Sequence, residues 1–149
     1  MVGRMRILVD ADGCPVVDIT LRLAAAHGAE TVLFCDTAHV FERPGARTVT
    51  VSQGADSVDF ALVNALVPGD IVVTQDYGLA AMCLAKGARP LHQDGMRYTA
   101  DNIDALLLAR HTARKVRAAG GRLKGSPKRT PAQDRAFARA LEALLERSA

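Results

Sequence analysis

The sequence predicts an α/β fold: a mainly parallel five-stranded sheet with helices on both faces. Three observations carry this reading. Short apolar runs of strand length alternate with stretches of helical periodicity, the pattern of repeated strand–helix–strand units. Gly28, Pro68-Gly69 and Gly87 stand where successive helical stretches should stop. Four apolar runs lead into aspartates. Ile7-Leu8-Val9 leads into Asp10, and Val32-Leu33-Phe34-Cys35 into Asp36. Val49-Thr50-Val51 leads through Ser52-Gln53-Gly54 towards Asp56 and Asp59, and Ile71-Val72-Val73-Thr74-Gln75 leads into Asp76.

The elements follow in order. A first strand is predicted over 7–10. The first helix should start near Cys14, with Pro15 suited to a first helical position, and stop near Gly28. Strands over 31–35 and 48–51 flank a loop containing Pro44 and Gly45. A second helix is predicted over about 56–67, a fourth strand over 71–74 and a third helix over about 77–86. A short fifth strand should lie near 89–92, and a fourth helix over about 100–119, with Thr99 as its N-cap. Residues 120–130 read as a loop, Gly-Gly-Arg-Leu-Lys-Gly-Ser-Pro-Lys-Arg-Thr. Thr130-Pro131-Ala132-Gln133 is a capping box with proline at the first helical position, so a last helix opens there. Phe137, Leu141, Leu144 and Leu145 form its apolar face.

A chain of 149 residues is expected to be one domain with its own core, divided into an α/β body over 6–100 and a basic helical C-terminal extension over 101–149. Its 49% hydrophobic and 23% charged residues are ordinary for a globular protein. No apolar run approaches the roughly 20 residues of a membrane span, and the first six residues lack the apolar core of a signal peptide. Cys14, Cys35 and Cys83 are odd in number and widely spaced, with no C-x-x-C pair, which supports neither a zinc site nor a disulfide framework. A reducing, cytoplasmic setting is expected, with no membrane partner; a homo-oligomer is neither fixed nor forbidden.

In an open parallel sheet the C-terminal ends of the strands form one rim, and ligands bind there. Carboxylates gathered on that rim repel one another: at an effective dielectric of about 20, two charges about 4 Å apart cost about 4 kcal/mol. Protons or a hard cation such as Mg²⁺ would let them coexist. Asp10 and Asp12 form a D-x-D after the first strand, although Asp12 is equally suited to capping the first helix. Asp56 and Asp59 fall on one side of a first helical turn, where a capping acid and a second acid near the helix dipole would also be at home. Asp76 ends the fourth strand and is itself a natural cap. Strands one and four are expected to be neighbours across the switch point, which would set Asp10 opposite Asp76, with the Thr74 hydroxyl close by.

The net charge of +3 hides an asymmetry. Residues 110–149 hold 11 of the 19 Lys and Arg but only 3 of the 16 Asp and Glu, so an acidic body precedes a basic end. That end suits either a polyanionic partner or docking on its own acidic body. The candidates for nucleic-acid contact are Arg110, Arg114 and Arg117, spaced along the fourth helix, and Arg122, Lys124, Lys128 and Arg129 in the glycine-bearing loop. With aromatic residues at only 4%, base stacking is not expected, and contact should be mainly to the backbone. Cys14 at a helix start would favour a thiolate, but no motif makes it a nucleophile. The four histidines show no ligand spacing, and no phosphate-binding glycine loop or G-x-S-x-G is present.

Taken together, several segments resemble the YaiI/YqxD family of bacterial proteins. They are Val9-Asp10-Ala11-Asp12-Gly13-Cys14-Pro15-Val16, Gly54-Ala55-Asp56-Ser57-Val58-Asp59, Gly69-Asp70-Ile71-Val72-Val73-Thr74-Gln75-Asp76-Tyr77-Gly78-Leu79-Ala80-Ala81 and Lys86-Gly87-Ala88. The resemblance continues through Tyr98-Thr99-Ala100-Asp101-Asn102-Ile103, Gly120-Gly121-Arg122 and Asp134-Arg135-Ala136-Phe137, and so runs over nearly the whole chain in order. That family is grouped with the PIN-like and NYN nuclease superfamily. The grouping implies a three-layer α/β/α sandwich whose strand-end aspartates bind Mg²⁺ or Mn²⁺ and cleave RNA. Carried over by position, those acids are Asp10, Asp56, Asp59 and Asp76, with Asp12 a further possible ligand. One departure stands out: superfamily nucleases often place a second acid just behind the strand-four aspartate, whereas here Asp76 is followed by Tyr77-Gly78-Leu79. The expected function is a metal-dependent ribonuclease. The alternatives are an RNA-binding protein without turnover or a phosphatase of the haloacid dehalogenase type. The last is suggested by Asp10-Ala11-Asp12, but Cys14 stands where that group has Thr or Val.

Overall fold

The strands at the centre of the sheet are apolar on both sides because helices cover both sides. A computed structural model describes residues 5–38, 42–54, 56–121 and 128–147. Its elements run β1 (Arg6–Asp10), α1 (Val17–Ala26), β2 (Glu30–Asp36), β3 (Ala46–Val51), α2 (Ser57–Ala65), β4 (Ile71–Val73), α3 (Tyr77–Ala85), β5 (Arg89–Leu91), α4 (Ile103–Ala118) and α5 (Pro131–Arg147). The five strands pair in parallel in the order β3-β2-β1-β4-β5. The chain therefore winds outward from β1 to β3, crosses back to β4, and winds outward the other way. The crossing point lies between β1 and β4, as expected, with Leu8 opposite Val72 and Val9 opposite Val73.

Alternation along the strands divides the core in two. Ile7, Val9, Leu33, Cys35, Ile71 and Val73 face α1 and α5, whereas Leu8, Val32, Phe34 and Val72 face α2 and α3. The result is the expected three-layer α/β/α sandwich. A smaller cluster of Ala80, Tyr98 and Ile103 joins the start of α4 to α3. Beyond that start α4 leaves the body: residues 114–119 are exposed, and Leu108 is 64% exposed. The edges are blunted in ways edge strands need. β5 carries Pro90, and β3 turns Arg47 and Thr50 to solvent. At the opposite end of the sheet from the aspartate rim, Arg6 ties β1 to Asp70 (2.6 Å) and to the Ala65 carbonyl at the end of α2 (2.8 Å).

Most elements begin or end within a residue or two of expectation; three differences matter more. α1 begins at Val17 and not near Cys14. Cys14 precedes a proline, which disfavours helical geometry, and the chain first makes a turn in which the Cys14 N–H donates to the Ala11 carbonyl and Gly13 takes a positive φ of 67°. α4 begins at Ile103, three residues later than expected. Thr99 nevertheless acts as a cap: its hydroxyl accepts from the Asn102 N–H while the Asn102 side chain accepts from the Thr99 N–H. The third difference is larger. α5 is not part of an extension: Phe137, Leu141, Leu144 and Leu145 are buried in the same core as Ile7, Leu33 and Val73. At the predicted Thr130–Gln133 capping box the Thr130 N–H donates to Gln133 Oε1 at 2.7 Å, and the Gln133 N–H donates to the Thr130 carbonyl. Among the described residues no helix is long and apolar enough to cross a membrane.

Two substitutions test α5 as a core layer. Phe137→Ala should cost about 3–5 kcal/mol of stability, the range for emptying a buried aromatic position. Leu108→Ala, at an exposed position of α4, should stay within about 0.5 kcal/mol of wild type. Urea denaturation of the two variants measures both, and equal costs would remove α5 from the core.

Candidate functional site

Asp10 ends β1 on the same side of the sheet as Leu8, the side covered by α2 and α3. Its carboxyl is fixed by β4's continuation: the buried Thr74 hydroxyl donates to Asp10 Oδ2 at 3.0 Å. The same hydroxyl accepts from the Asp76 backbone N–H at 3.0 Å, so its proton is directed at Asp10. Thr74 is held in turn by Tyr98, whose buried hydroxyl donates to the Thr74 carbonyl at 3.1 Å. Asp76 then caps α3, with Oδ1 accepting from the Leu79 N–H at 3.1 Å and from Arg110 Nη1 at 3.2 Å. Both bonds converge on Oδ1, and among the described residues Oδ2 accepts none.

α2 brings the other pair. Asp59 lies in its first turn, and Asp56 immediately precedes the helix in a left-handed conformation (φ 62°), which aspartate tolerates better than most residues. Asp56 does not cap α2 with its side chain. A groove of about 340 Å³ is lined by Asp56, Asp59, Phe60, Asp76, Met82 and Arg110. Asp10 lies in an adjoining narrow crevice with Asp12, Cys14, Thr74, Gln75 and Gln93. The rim acids are thus split between two depressions linked by the Thr74 hydroxyl.

Their electrostatics follow from this crowding. Burial raises the Asp10 pKa to about 6, the Thr74 hydrogen bond opposes the shift, and Asp59, Asp76 and Asp12 add to it. Burial also raises Asp59 to about 6, with Asp76 and Asp56 contributing and Arg110 opposing. An all-carboxylate donor set suits a hard cation. Among the described residues no three of these aspartates have carboxylate oxygens all within 4.8 Å of one another; the group that meets this measure is His27, Glu142 and Glu146, all exposed. The rim still fits Mg²⁺ or Mn²⁺, because Mg²⁺ ordinarily keeps several waters and binds through only one or two carboxylates.

The basic residues separate into different roles. Arg110 reaches the acidic groove and pairs with Asp76. Arg114 and Arg117 lie exposed on the projecting part of α4, and Lys128 is exposed. Arg129 requires a correction: its Nε, Nη1 and Nη2 donate to Asp134, Asp94 and the Gln93 carbonyl, so its fork clamps α5 to the β5 loop and its charge is already paired with two carboxylates. Arg122 and Lys124 lie outside the described residues. Asp36, the remaining strand-end aspartate, accepts from the Ala38 N–H in a turn one strand away from the crossing point. Cys14 is also corrected: it precedes α1 by three residues, and burial pushes its thiol up to about 11, away from a thiolate.

Comparison with known proteins places these residues in context. Residues 8–147 match the family model described as "Uncharacterized BCR, YaiI/YqxD family". A UPF0178 protein of Exiguobacterium sibiricum is 55% identical over 141 residues, covering 95% of this chain and 96% of its own. A UPF0178 protein of Clostridium acetobutylicum is 47% identical over 145 residues, covering 96% and 98%. Among solved structures, the crystal structure of Rae1 (YacP) from Bacillus subtilis (W164L mutant) aligns over 97% of this chain and 99% of its own, with a TM-score of 0.45 and 12% identity. That likeness is too weak to bear on the site.

The raised pKa values give a pH test. In the unfolded chain Asp10 and Asp59 titrate near 3.8, and in the fold near 6. Between these values the folded state holds protons that the unfolded chain has released, so stability falls as pH rises through this window and stays low above it. Asp10→Asn removes that repulsion while keeping an acceptor for Thr74. Calorimetry in EDTA should therefore find the variant melting above wild type at pH 8, with the gap closing towards pH 4. A variant that melts below wild type at pH 8 would mean that the ionised Asp10 is not destabilised.

Proposed function

The chain belongs to the YaiI/YqxD family, and we propose that it is a divalent-metal-dependent nuclease hydrolysing RNA phosphodiester bonds at its strand-end aspartates. One observation carries the reading. A partly buried carboxyl, Asp10, is fixed by Thr74 at the crossing point of the sheet, close enough to Asp59 and Asp76 to raise its pKa, in the place where open α/β sheets bind ligands. Mutual repulsion of this kind lowers stability, and function is the usual reason such arrangements persist. The family's resemblance to PIN-like nucleases supports the same reading.

One or two of Asp10, Asp59 and Asp76 would hold Mg²⁺ or Mn²⁺ directly, with the remaining acids, Asp56 and Asp12 among them, reaching it through water. Such a cation, when bound, supplies Lewis acidity at the phosphate and lowers the pKa of a bound water. The chain's own residues do the rest. Thr74 keeps Asp10 oriented by donating to one oxygen, leaving the other as a ligand atom. Asp76 presents Oδ2, since its helix cap and Arg110 both use Oδ1. Arg110, half-exposed at the mouth of the groove, can exchange Asp76 for a phosphate oxygen, and Arg forks suit that geometry. Arg114, Arg117 and Lys128 extend the positive surface along which an RNA backbone can lie.

RNA binding without turnover is the second reading, and one observation favours it. The position behind Asp76 carries Tyr77-Gly78-Leu79 with no second acid, and Asp76 is already engaged as a cap. Cleavage of a single-stranded RNA with Mn²⁺ separates the two. Wild type should cleave, and EDTA should stop it. Asp10→Asn and Asp76→Asn should each lose on the order of 100-fold, since even residues outside the ligand shell cost about 10–100-fold. Cleavage at wild-type rate by both variants would remove this mechanism, and binding without cleavage by wild type would select the second reading.

A further inference from the structure

Beside the acidic rim lies a second and larger pocket, about 540 Å³, whose walls include Gln75, Tyr77, His92, Gln93, Asp94 and Arg129. Its volume is that of a small-molecule site. It adjoins the rim directly: Gln75 and Gln93 also line the crevice that holds Asp10, and Tyr77 follows Asp76 in the chain. We propose that this pocket receives the nucleobase next to the phosphodiester at the rim, with Tyr77 and His92 offering ring faces and the Gln75 and Gln93 amides reading its edge. The proposal rests on the rim being the phosphodiester site.

Four features favour a base over other occupants. Three rings gather here despite the low aromatic content: Tyr77 lies 6.4 Å from His92 and 5.8 Å from Tyr98, and His92 lies 6.0 Å from Tyr98. Tyr98 is buried and anchored on Thr74, so the partly exposed Tyr77 and the His92 ring, whose side chain is 16% exposed, are held against a fixed support. The Gln75 and Gln93 side-chain amides make no hydrogen bond among the described residues, and each offers a donor and an acceptor, the pair needed at a base edge. His92 Nδ1 accepts from the Asp94 N–H at 3.0 Å, which leaves its proton on Nε2 as a further donor. Finally, the pocket disfavours phosphate. Asp94 lines it, and the charge of Arg129 is already paired with Asp94 and Asp134, while the guanidinium plane is a stacking surface. An apolar ligand is disfavoured by the amides and charges.

The test measures base preference separately from cleavage. Binding of fluorescent hexamers of oligo(A), oligo(C) and oligo(U) is followed by anisotropy in EDTA. Wild type should show a spread of affinities of about fivefold or more, the lower end of what base-edge contacts give. Gln75→Ala with Gln93→Ala should bring the three within about twofold, with circular dichroism confirming the fold. Arg114→Ala with Arg117→Ala should instead weaken all three alike, as backbone contacts do. Absent binding, equal wild-type affinities, or a spread that survives in the glutamine double variant would overturn the proposal. Base preference without Mn²⁺-dependent cleavage would count against the nuclease and for the pocket; cleavage without preference would do the reverse.

Discussion

The parallel pairing of β1 with β4 is the constraint on which the rest of the molecule hangs. It places the end of one strand beside the continuation of the other, and a single hydroxyl joins them: Thr74 accepts from the Asp76 N–H and donates to Asp10. A threonine suits this position because its hydroxyl is buried with both partners satisfied. The carboxyl of β1 is held where burial alone would expel it, and the start of α3 is fixed at the same time. The same junction carries Tyr98, so the rim and the aromatic pocket share one support.

Opposed charges shape the surface around that junction. Burial and the neighbouring Asp76 and Asp56 raise the pKa of Asp59, and Arg110 opposes that shift by reaching in from α4. That arginine stands where the acidic body meets the exposed basic stretch of α4. The pair it makes with Asp76 is half-exposed on both sides, so solvent screens it and little stability depends on it. An ion pair of that kind can open for an incoming anion at small cost.

Much of this was legible in the sequence, for identifiable reasons. The apolar runs of β1 and β4, their adjacency and the Asp10 and Thr74 positions follow from strand length and winding order, which are local patterns and a general topological rule. The capping box at Thr130 was equally readable. What was hidden depends on long-range contacts. Arg129 looked like one more cation in a basic loop, and only the fold shows it clamped between Asp94 and Asp134. Tyr77, His92 and Tyr98 are scattered along 22 residues and total two of the chain's few aromatic residues plus a histidine, so composition argued against the stacking surface that β5's loop assembles. Cys14 was misjudged because the proline after it was read as a helix start instead of a turn.

The burial of α5 bears on the order in which the protein can be made. Residues 131–147 cover a face of the sheet that includes β1, a strand synthesised long before them. Until those residues emerge, Ile7, Val9, Leu33 and Val73 lack one side of their packing. The nascent chain must therefore carry a sheet face covered by α1 alone until α5 emerges. That is the period in which partly built sheets meet chaperones or aggregate, and the final helix is what ends it.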